Sequence, residues 1–335
     1  MRPSFYPRTI NGPFGDPGVF IPFLFENRAF IFDMGDMPSL SSGDILKITH
    51  AFVSHTHMDH FAGFDSLLRL FLGREKDFYI YGPEGFLKNI EGKLAGYCWN
   101  LVQHYSNRFI LYASEICQDY ILTNQYPCQN GFRAIRDPVK QPFNGVLLTE
   151  PAISVSAVIL DHSIPCLGFS IKEQFHINIL KEKVAELGLE IGHWLKEFKQ
   201  AVFQQQDMNS VFDVKFGKGG VKQKQFILGD LAEQIAMITP GQKITYITDV
   251  GYLSNADKII EFAKDSDYLF IEAGFLEKDK DIAEQKYHLT AWQAGTIAGK
   301  ARVKQFTIFH FSPRYTDMEH LLQREARDAY EAALC

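Results

Sequence analysis

Val53-Ser54-His55-Thr56-His57-Met58-Asp59-His60 carries three imidazoles and a carboxylate within six consecutive positions. Neutral imidazole nitrogens and a carboxylate oxygen suit zinc or a similar borderline divalent ion. A lone histidine is ordinarily a satisfied core residue. Four ionisable groups spaced H-x-H-x-D-H bring no packing benefit to a loop, so the cluster reads as a metal-binding motif.

The flanking residues say how such a cluster is held. Ala51-Phe52-Val53 reads as the end of a buried strand, and Phe61 to Leu70 has helical spacing of apolar positions. The motif therefore lies on a strand-to-helix turn, where side chains from alternate positions converge. Upstream, the apolar runs Val19 to Phe25 and Ala29 to Phe32 form a plausible hairpin around Glu26-Asn27-Arg28. The second run ends in Asp33, by itself a cap or turn residue.

Downstream, Phe78-Tyr79-Ile80-Tyr81 is a strand, 82–85 a turn, and the segment to Tyr97 a helix. Residues 98–145 are aromatic-rich and weakly periodic, and are expected to be irregular strands and loops. Four further strands end in chemically capable residues. Ile153 to Leu160 ends in Asp161-His162-Ser163, Ile244 to Thr248 in Asp249, Leu269 to Ile271 in Glu272, and Phe306 to Phe309 in His310. Asp279 to Tyr287 and Ala291 to Ala301 read as helices with His288-Leu289-Thr290 between them, and Thr290 can cap the second. A charged amphipathic helix closes the chain. The alternation is that of a layered α/β fold.

Composition narrows the classes. The chain has 335 residues, 46% hydrophobic and 22% charged, as in an ordinary globular protein with a sizeable core. Its net charge of −6 confines any nucleic-acid surface to a local patch. Five scattered cysteines (Cys98, Cys117, Cys128, Cys166, Cys335) without C-x-x-C pairs argue against a disulfide framework or a thiolate zinc knuckle. Met1 to Pro7 lacks an apolar signal core and no apolar run is long enough to span a bilayer, so the expected location is cytoplasmic and no membrane partner is expected. Residues 175–225 stand apart, with helical patterns at Ile179 to Leu189 and Trp194 to Phe203, then a polar, glycine-bearing tail. Eight lysines there face six acids. This is either a solvated helical insertion or an arm that touches phosphates.

H-x-H-x-D-H after a strand resembles the signature of the metallo-β-lactamase superfamily. That resemblance implies an α/β fold, a four-layer αββα sandwich over residues 1–335 with an inserted helical arm at about 175–225. It also implies a dinuclear site with further ligands at strand ends. Three segments narrow the resemblance to the tRNA 3′-processing endonucleases, the ribonuclease Z family: His162-Ser163-Ile164-Pro165-Cys166-Leu167-Gly168-Phe169, His288-Leu289-Thr290, and His310-Phe311-Ser312-Pro313-Arg314-Tyr315. It covers about residues 15 to 320. The sequence departs from the family at the arm tip, which lacks proline, and at Ile271-Glu272-Ala273-Gly274, where the family has a histidine before the glutamate.

The resemblance implies that His55, His57 and His162 hold one cation, that Asp59, His60 and His310 hold a second, and that Asp249 bridges them. The ions expected are two divalent metals, zinc first and manganese as the other fit. Two such ions ionise water near neutral pH and clamp an in-line displacement at phosphorus. Asp33 would orient a ligand histidine. Asp59 would also accept the proton of the attacking water. His288, steadied by Glu272, would donate a proton to the leaving oxygen, although His288 alone could be a surface residue between helices. Ser312 and Arg314 would bind phosphate, unless Arg314 pairs with an acid of the final helix. The implied partner is precursor tRNA, and the implied assembly a homodimer in which one subunit's arm presents substrate to the other. The alternative is a metallo-phosphodiesterase of the same fold acting on small or cyclic phosphodiesters. Further off stand a closed, metal-stabilised binding module and, by analogy alone, a lactonase or thioesterase.

Overall fold

The structure, a computed structural model, describes residues 4–24, 26–217 and 222–334. Met1-Arg2-Pro3, Phe25 at the end of the first apolar run, Lys218-Gly219-Gly220 of the polar tail with the following Val221, and Cys335 lie outside the described residues.

Two twisted sheets face each other. The first runs in chain order through β1 (Arg8–Thr9), β2 (Val19–Pro22), β3 (Ala29–Phe32), β4 (Ile48–Phe52), β5 (Lys76–Pro83), β6 (Phe109–Ile116), β7 (Tyr120–Pro127) and β8 (Val139–Pro142). Its centre, β3 to β6, is parallel. The second comprises β9 (Val146–Thr149), β10 (Ile153–Asp161), β11 (Pro165–Glu173), β16 (Lys243–Ile247), β17 (Tyr268–Glu272) and β18 (Phe306–Phe309), in the order β18-β17-β16-β11-β10-β9. Strands β16, β17 and β18 are parallel, so all three point their carboxyl ends the same way.

Period-2 alternation builds the layers. Phe30 and Phe32 of β3 point into the space between the sheets, where they join Phe52, Phe169, Tyr246, Phe270 and Phe309. Ala29 and Ile31 point outward into a cluster with α1 (Ser42–Lys47), α2 (Met58–Phe61), α3 (Phe64–Phe71) and α4 (Phe86–Ala95) through Ile45, Phe61, Phe64, Leu67, Phe71, Phe86 and Ile90. The second sheet turns Leu269, Ile271 and Ile308 outward onto α8 (Tyr252–Ala263), α10 (Ala291–Lys300) and α11 (Glu319–Leu334). Helix, sheet, sheet, helix is the expected four-layer sandwich. Thr290 caps α10 in a full capping box with Gln293, which sets where the helix begins just after His288.

Helices α10 and α11 approach closely through glycine. A Cβ on Gly295 would overlap the Ala326 carbonyl oxygen, and one on Gly299 that of Tyr330. Both obstacles are backbone and cannot swing aside. Gly295→Ala is therefore expected to lose about 1–3 kcal/mol to overpacking. That outweighs the gain of up to about 1 kcal/mol in helix propensity. A lowered midpoint in urea unfolding, with unchanged slope, would register it.

Two sequence expectations are corrected here. Residues 98–145 are more regular than expected, holding the eight-residue strands β6 and β7 and the short β8. The segment between β11 and β16 is not merely helical. It contains β12 (Phe175–Ile179), α5 (Lys181–Glu186), α6 (Trp194–Phe203), β13 (Val211–Phe216), β14 (Lys222–Ile227), α7 (Leu228–Ile235) and β15 (Ala236–Pro240). Pairing of β12 with β15 closes its base, and Trp194, Phe198, Val214, Leu231 and Ile235 give it a core of its own.

Candidate metal centre

The carboxyl ends of β3, β4, β10, β16, β17 and β18 meet at one edge of the sandwich. The chain turns sharply at three of these places. Asp33, Asp249 and His310 all have positive φ, at 50°, 22° and 61°. Side-chain-bearing residues rarely adopt this conformation, and its repetition around one site marks a backbone held by its surroundings to aim particular side chains.

All the sequence-proposed ligands come together. Asp249 is central and nearly inaccessible. Its Oδ2 lies 3.6 Å from His55 Nε2, 3.3 Å from His60 Nε2 and 3.5 Å from His162 Nε2. Its Oδ1 lies 3.2 Å from His310 Nε2. Asp59 Oδ2 sits 3.6 Å from His60 Nε2 and 3.7 Å from His310 Nε2. The ring nitrogens of His55 (Nε2) and His57 (Nδ1) are 3.0 Å apart. Three donor groupings result among the described residues: His55, His57, His162 and Asp249; Asp59, His60 and His310; and Asp249, His288 and His310, which links the other two through Asp249 and His310.

These residues fit divalent cations. His60 Nε2 is buried and has no hydrogen-bond partner among the described residues, a cost of about 1–3 kcal/mol unless something else takes its lone pair. Most of the donor separations are longer than hydrogen bonds. Ligands about 2.0–2.1 Å from a tetrahedral ion stand roughly 3.3 Å apart, which is the spacing seen here.

The ligands are themselves held. Asp33 is fully buried and accepts from the Ser54 amide (2.6 Å), the Ser54 hydroxyl (2.7 Å) and the Tyr246 hydroxyl (2.8 Å). It also lies 2.8 Å from His60 Nδ1, which fixes that ring with Nε2 toward Asp249. Ser54 Oγ also faces His55 Nδ1 at 3.0 Å, and the Tyr287 carbonyl faces His162 Nδ1 at 2.8 Å. Gly35 and Gly63 let the Asp33 loop lie directly on the motif loop, since a Cβ on Gly35 would overlap the Asp59 carbonyl oxygen. Asp33→Asn would set an amide among groups that already donate. It is expected to weaken metal affinity about 10–100-fold, as for other outer partners of ligand histidines. Competition with a chelator would measure it.

Electrostatics follow burial and partners. Burial, with the neighbouring His60, pushes His55 down to about 2, leaving it neutral and able to ligate. For His60 burial works in the same downward direction, but Asp249 and Asp33 outweigh it and favour a proton on the ring, which a bound cation would displace from Nε2. Asp249 is held well below the usual carboxylate range by His310 and His60, against the opposing effect of burial. The site thus gathers buried negative charge that asks for cations.

His288 stands beside this centre. Its Nδ1 is 2.8 Å from Glu272 Oε2 and 3.9 Å from Asp249 Oδ1. Glu272 is fully buried, and its other oxygen accepts the Val250 amide at 2.7 Å. Burial opposes the charge on His288, but Glu272 raises it to about 9, so the ring carries a proton at neutral pH. Arg314 does not pair with the final helix. It meets Asp279, just before α9 (Lys280–Gln285), at 3.4 Å, because the turn after His310 swings it toward that loop. Ser312 is half-buried, its amide donating to the Gly274 carbonyl at 3.0 Å.

Sequence reasoning did not single out Ser54, Tyr246 or Tyr287. Ser54 adjoins His55, and Tyr246 alternates with Ile244 toward the inter-sheet core, so both left a local signal. Tyr287 acts through its backbone carbonyl and left none.

Comparison with known proteins agrees with this geometry. A model of the beta-lactamase superfamily domain matches residues 233–311, the part holding Asp249, Glu272, His288 and His310. Ribonuclease Z of Deinococcus radiodurans is 25% identical over 301 residues, 89% of this chain and 86% of the relative. Ribonuclease Z of Treponema pallidum is 29% identical over 313 residues, 91% of this chain and 83% of the relative. The crystal structure of the short form of human tRNase Z superposes with a TM-score of 0.52 at 18% identity, covering 93% of each chain. Fold, site and comparisons define a metal-dependent hydrolase with the metallo-β-lactamase fold. Within that class, the chain resembles ribonuclease Z along nine-tenths of its length.

No helix among the described residues is long and apolar enough to cross a membrane.

Proposed function

We propose that this chain is a zinc-dependent tRNA 3′-processing endoribonuclease. The observation that carries the reading is the double donor set around Asp249 with the Glu272–His288 pair beside it. His55, His57 and His162 would hold one cation, Asp59, His60 and His310 a second, with Asp249 shared. When bound, the cations supply ionised water near neutral pH and countercharge for a phosphodiester.

The chain's own residues do the rest. Asp59 accepts the proton of the attacking water. His288, kept protonated by Glu272, gives its proton to the departing 3′-oxygen, which leaves a 3′-hydroxyl upstream and a 5′-phosphate on the trailer. Ser312 lies two residues beyond His310, where its hydroxyl contacts the substrate phosphate. Arg314 does so once released from Asp279. Residues 175–240 serve as an arm toward RNA in a cytoplasmic homodimer. The similarity to ribonuclease Z supports the RNA substrate, and the lysines of the excursion are compatible with it.

Metal-loaded protein incubated with a 3′-extended precursor tRNA is expected to make a single cut near the discriminator base. Failure to cut the precursor, with hydrolysis of bis(p-nitrophenyl) phosphate retained, would replace this reading with a phosphodiesterase acting on small esters.

A further inference from the structure

A cavity adjoins the metal centre. Asp161 and Ser163 flank His162 at the tip of the β10–β11 hairpin, and both line a cleft of about 330 Å³. This is within the size range of small-molecule sites, roughly 300–1,000 Å³. The opposite wall comes from Glu84, after β5, and from Cys117 and Gln118 at the β6–β7 turn, with Ile164 among the apolar residues between. The hairpin tip is rigid, because Asn255 bonds both the amide and the carbonyl of Asp161 at 3.0 Å.

Two of the polar side chains of this cleft, Glu84 and Asp161, are carboxylates that only accept, whereas Gln118 and Ser163 both donate and accept. The side chains of Glu84, Asp161, Gln118 and Ser163 make no hydrogen bond or ion pair among the described residues. Lysine, arginine and histidine are absent from the lining. A phosphate entering here would meet two carboxylates. A flat ring with an exocyclic amine would find apolar walls and two carboxylates to donate to, whereas the carbonyls that flank the single N–H of uracil would face those carboxylates. Adenine, cytosine and guanine carry an exocyclic amine, whereas both exocyclic groups of uracil are carbonyls.

We propose that this cleft is a nucleobase site that admits the amino-bearing base next to the scissile phosphate and disfavours uracil. The inference rests on the RNA reading above for its substrate. The backbone phosphate stays at the metal ligands, and the carboxylates turn the base, not the phosphate, into the cleft.

The test is calorimetric titration of the zinc-loaded protein with AMP, CMP, GMP and UMP, which share the phosphate and differ in the base. At least one amino-bearing nucleotide is expected to bind about tenfold or more tightly than UMP. In the Glu84→Gln, Asp161→Asn double variant that ratio should fall to within about twofold. Because the ratio is read within each protein, any general change in metal occupancy cancels. Equal binding of all four, tightest binding of UMP, no binding at all, or a ratio that survives in the double variant would overturn the proposal. The two readings fail separately. A cut precursor without base selectivity removes the cleft alone, and base selectivity without a cut precursor removes the RNA reading alone.

Discussion

His57→Ala is expected to abolish metal loading and hydrolysis together while leaving the fold intact. The choice of ligand matters. His55 and His60 are completely buried, so their removal would open cavities and strand Asp33 or Asp249 without partners. His57 is exposed on the rim, and the aromatic rings it meets among the described residues are those of His55 and His162. Its loss removes one donor of the set formed with His55, His162 and Asp249 and little packing. Countercharge and water ionisation at a metal centre are worth several kcal/mol in the transition state, so turnover of any phosphodiester should fall by about a thousandfold or more. Elemental analysis should show the metal content lowered in parallel, and the urea midpoint of metal-free protein should be unchanged. Normal metal content with lost activity would mean that His57 acts on substrate instead.

The legibility of this site in the sequence has a simple origin. Every proposed ligand follows a short β-compatible apolar run, because the fold places its chemistry at the carboxyl ends of strands. A strand end is a local feature that a sequence reveals. What holds the ligands is not local. Tyr246 reaches Asp33 across 213 positions, and His162 is oriented by a carbonyl 125 positions away. The first contact exists only once the two sheets have packed, and the second only once the helices have closed over the second sheet.

The regularity missed in the strands of 98–145 has a different cause. Tyr79 and Tyr112 stack on the face of the sheet opposite to Phe109 and Leu111. With aromatic residues on both faces, the alternation that marks a half-buried strand is blurred. The hairpin β13–β14 was hidden by composition. Lys222-Gln223-Lys224-Gln225 has poor strand propensity and gains its conformation from pairing with Val211 to Phe216. The alternative that paired Arg314 with an acid of the last helix is not met, because the turn after His310, not the periodicity of that helix, decides that it meets Asp279.

His288→Ala should separate proton donation from metal binding, and the size of its effect should depend on the leaving group. His288 lies outside both sets of proposed ligands but within reach of Asp249, and Glu272 holds it by a 2.8 Å contact. Its Nε2 makes no hydrogen bond among the described residues, so it is available to a substrate oxygen. A ribose oxygen leaves poorly as an alkoxide and needs a proton. A p-nitrophenolate is stable as the anion and does not. Loss of a positioned acid typically costs about 10²–10⁴-fold. That full loss is expected for RNA cleavage, with a change of less than about tenfold for bis(p-nitrophenyl) phosphate and metal content unaltered. Glu272→Gln should follow the same pattern more weakly, since it lowers the proton affinity of His288 without removing the ring. It also keeps an oxygen for the Val250 amide, so the loop that carries Asp249 stays in place. If His288→Ala strips the metal, or slows both substrates equally, His288 is a ligand and not the acid. The proton would then have to come from elsewhere in the site.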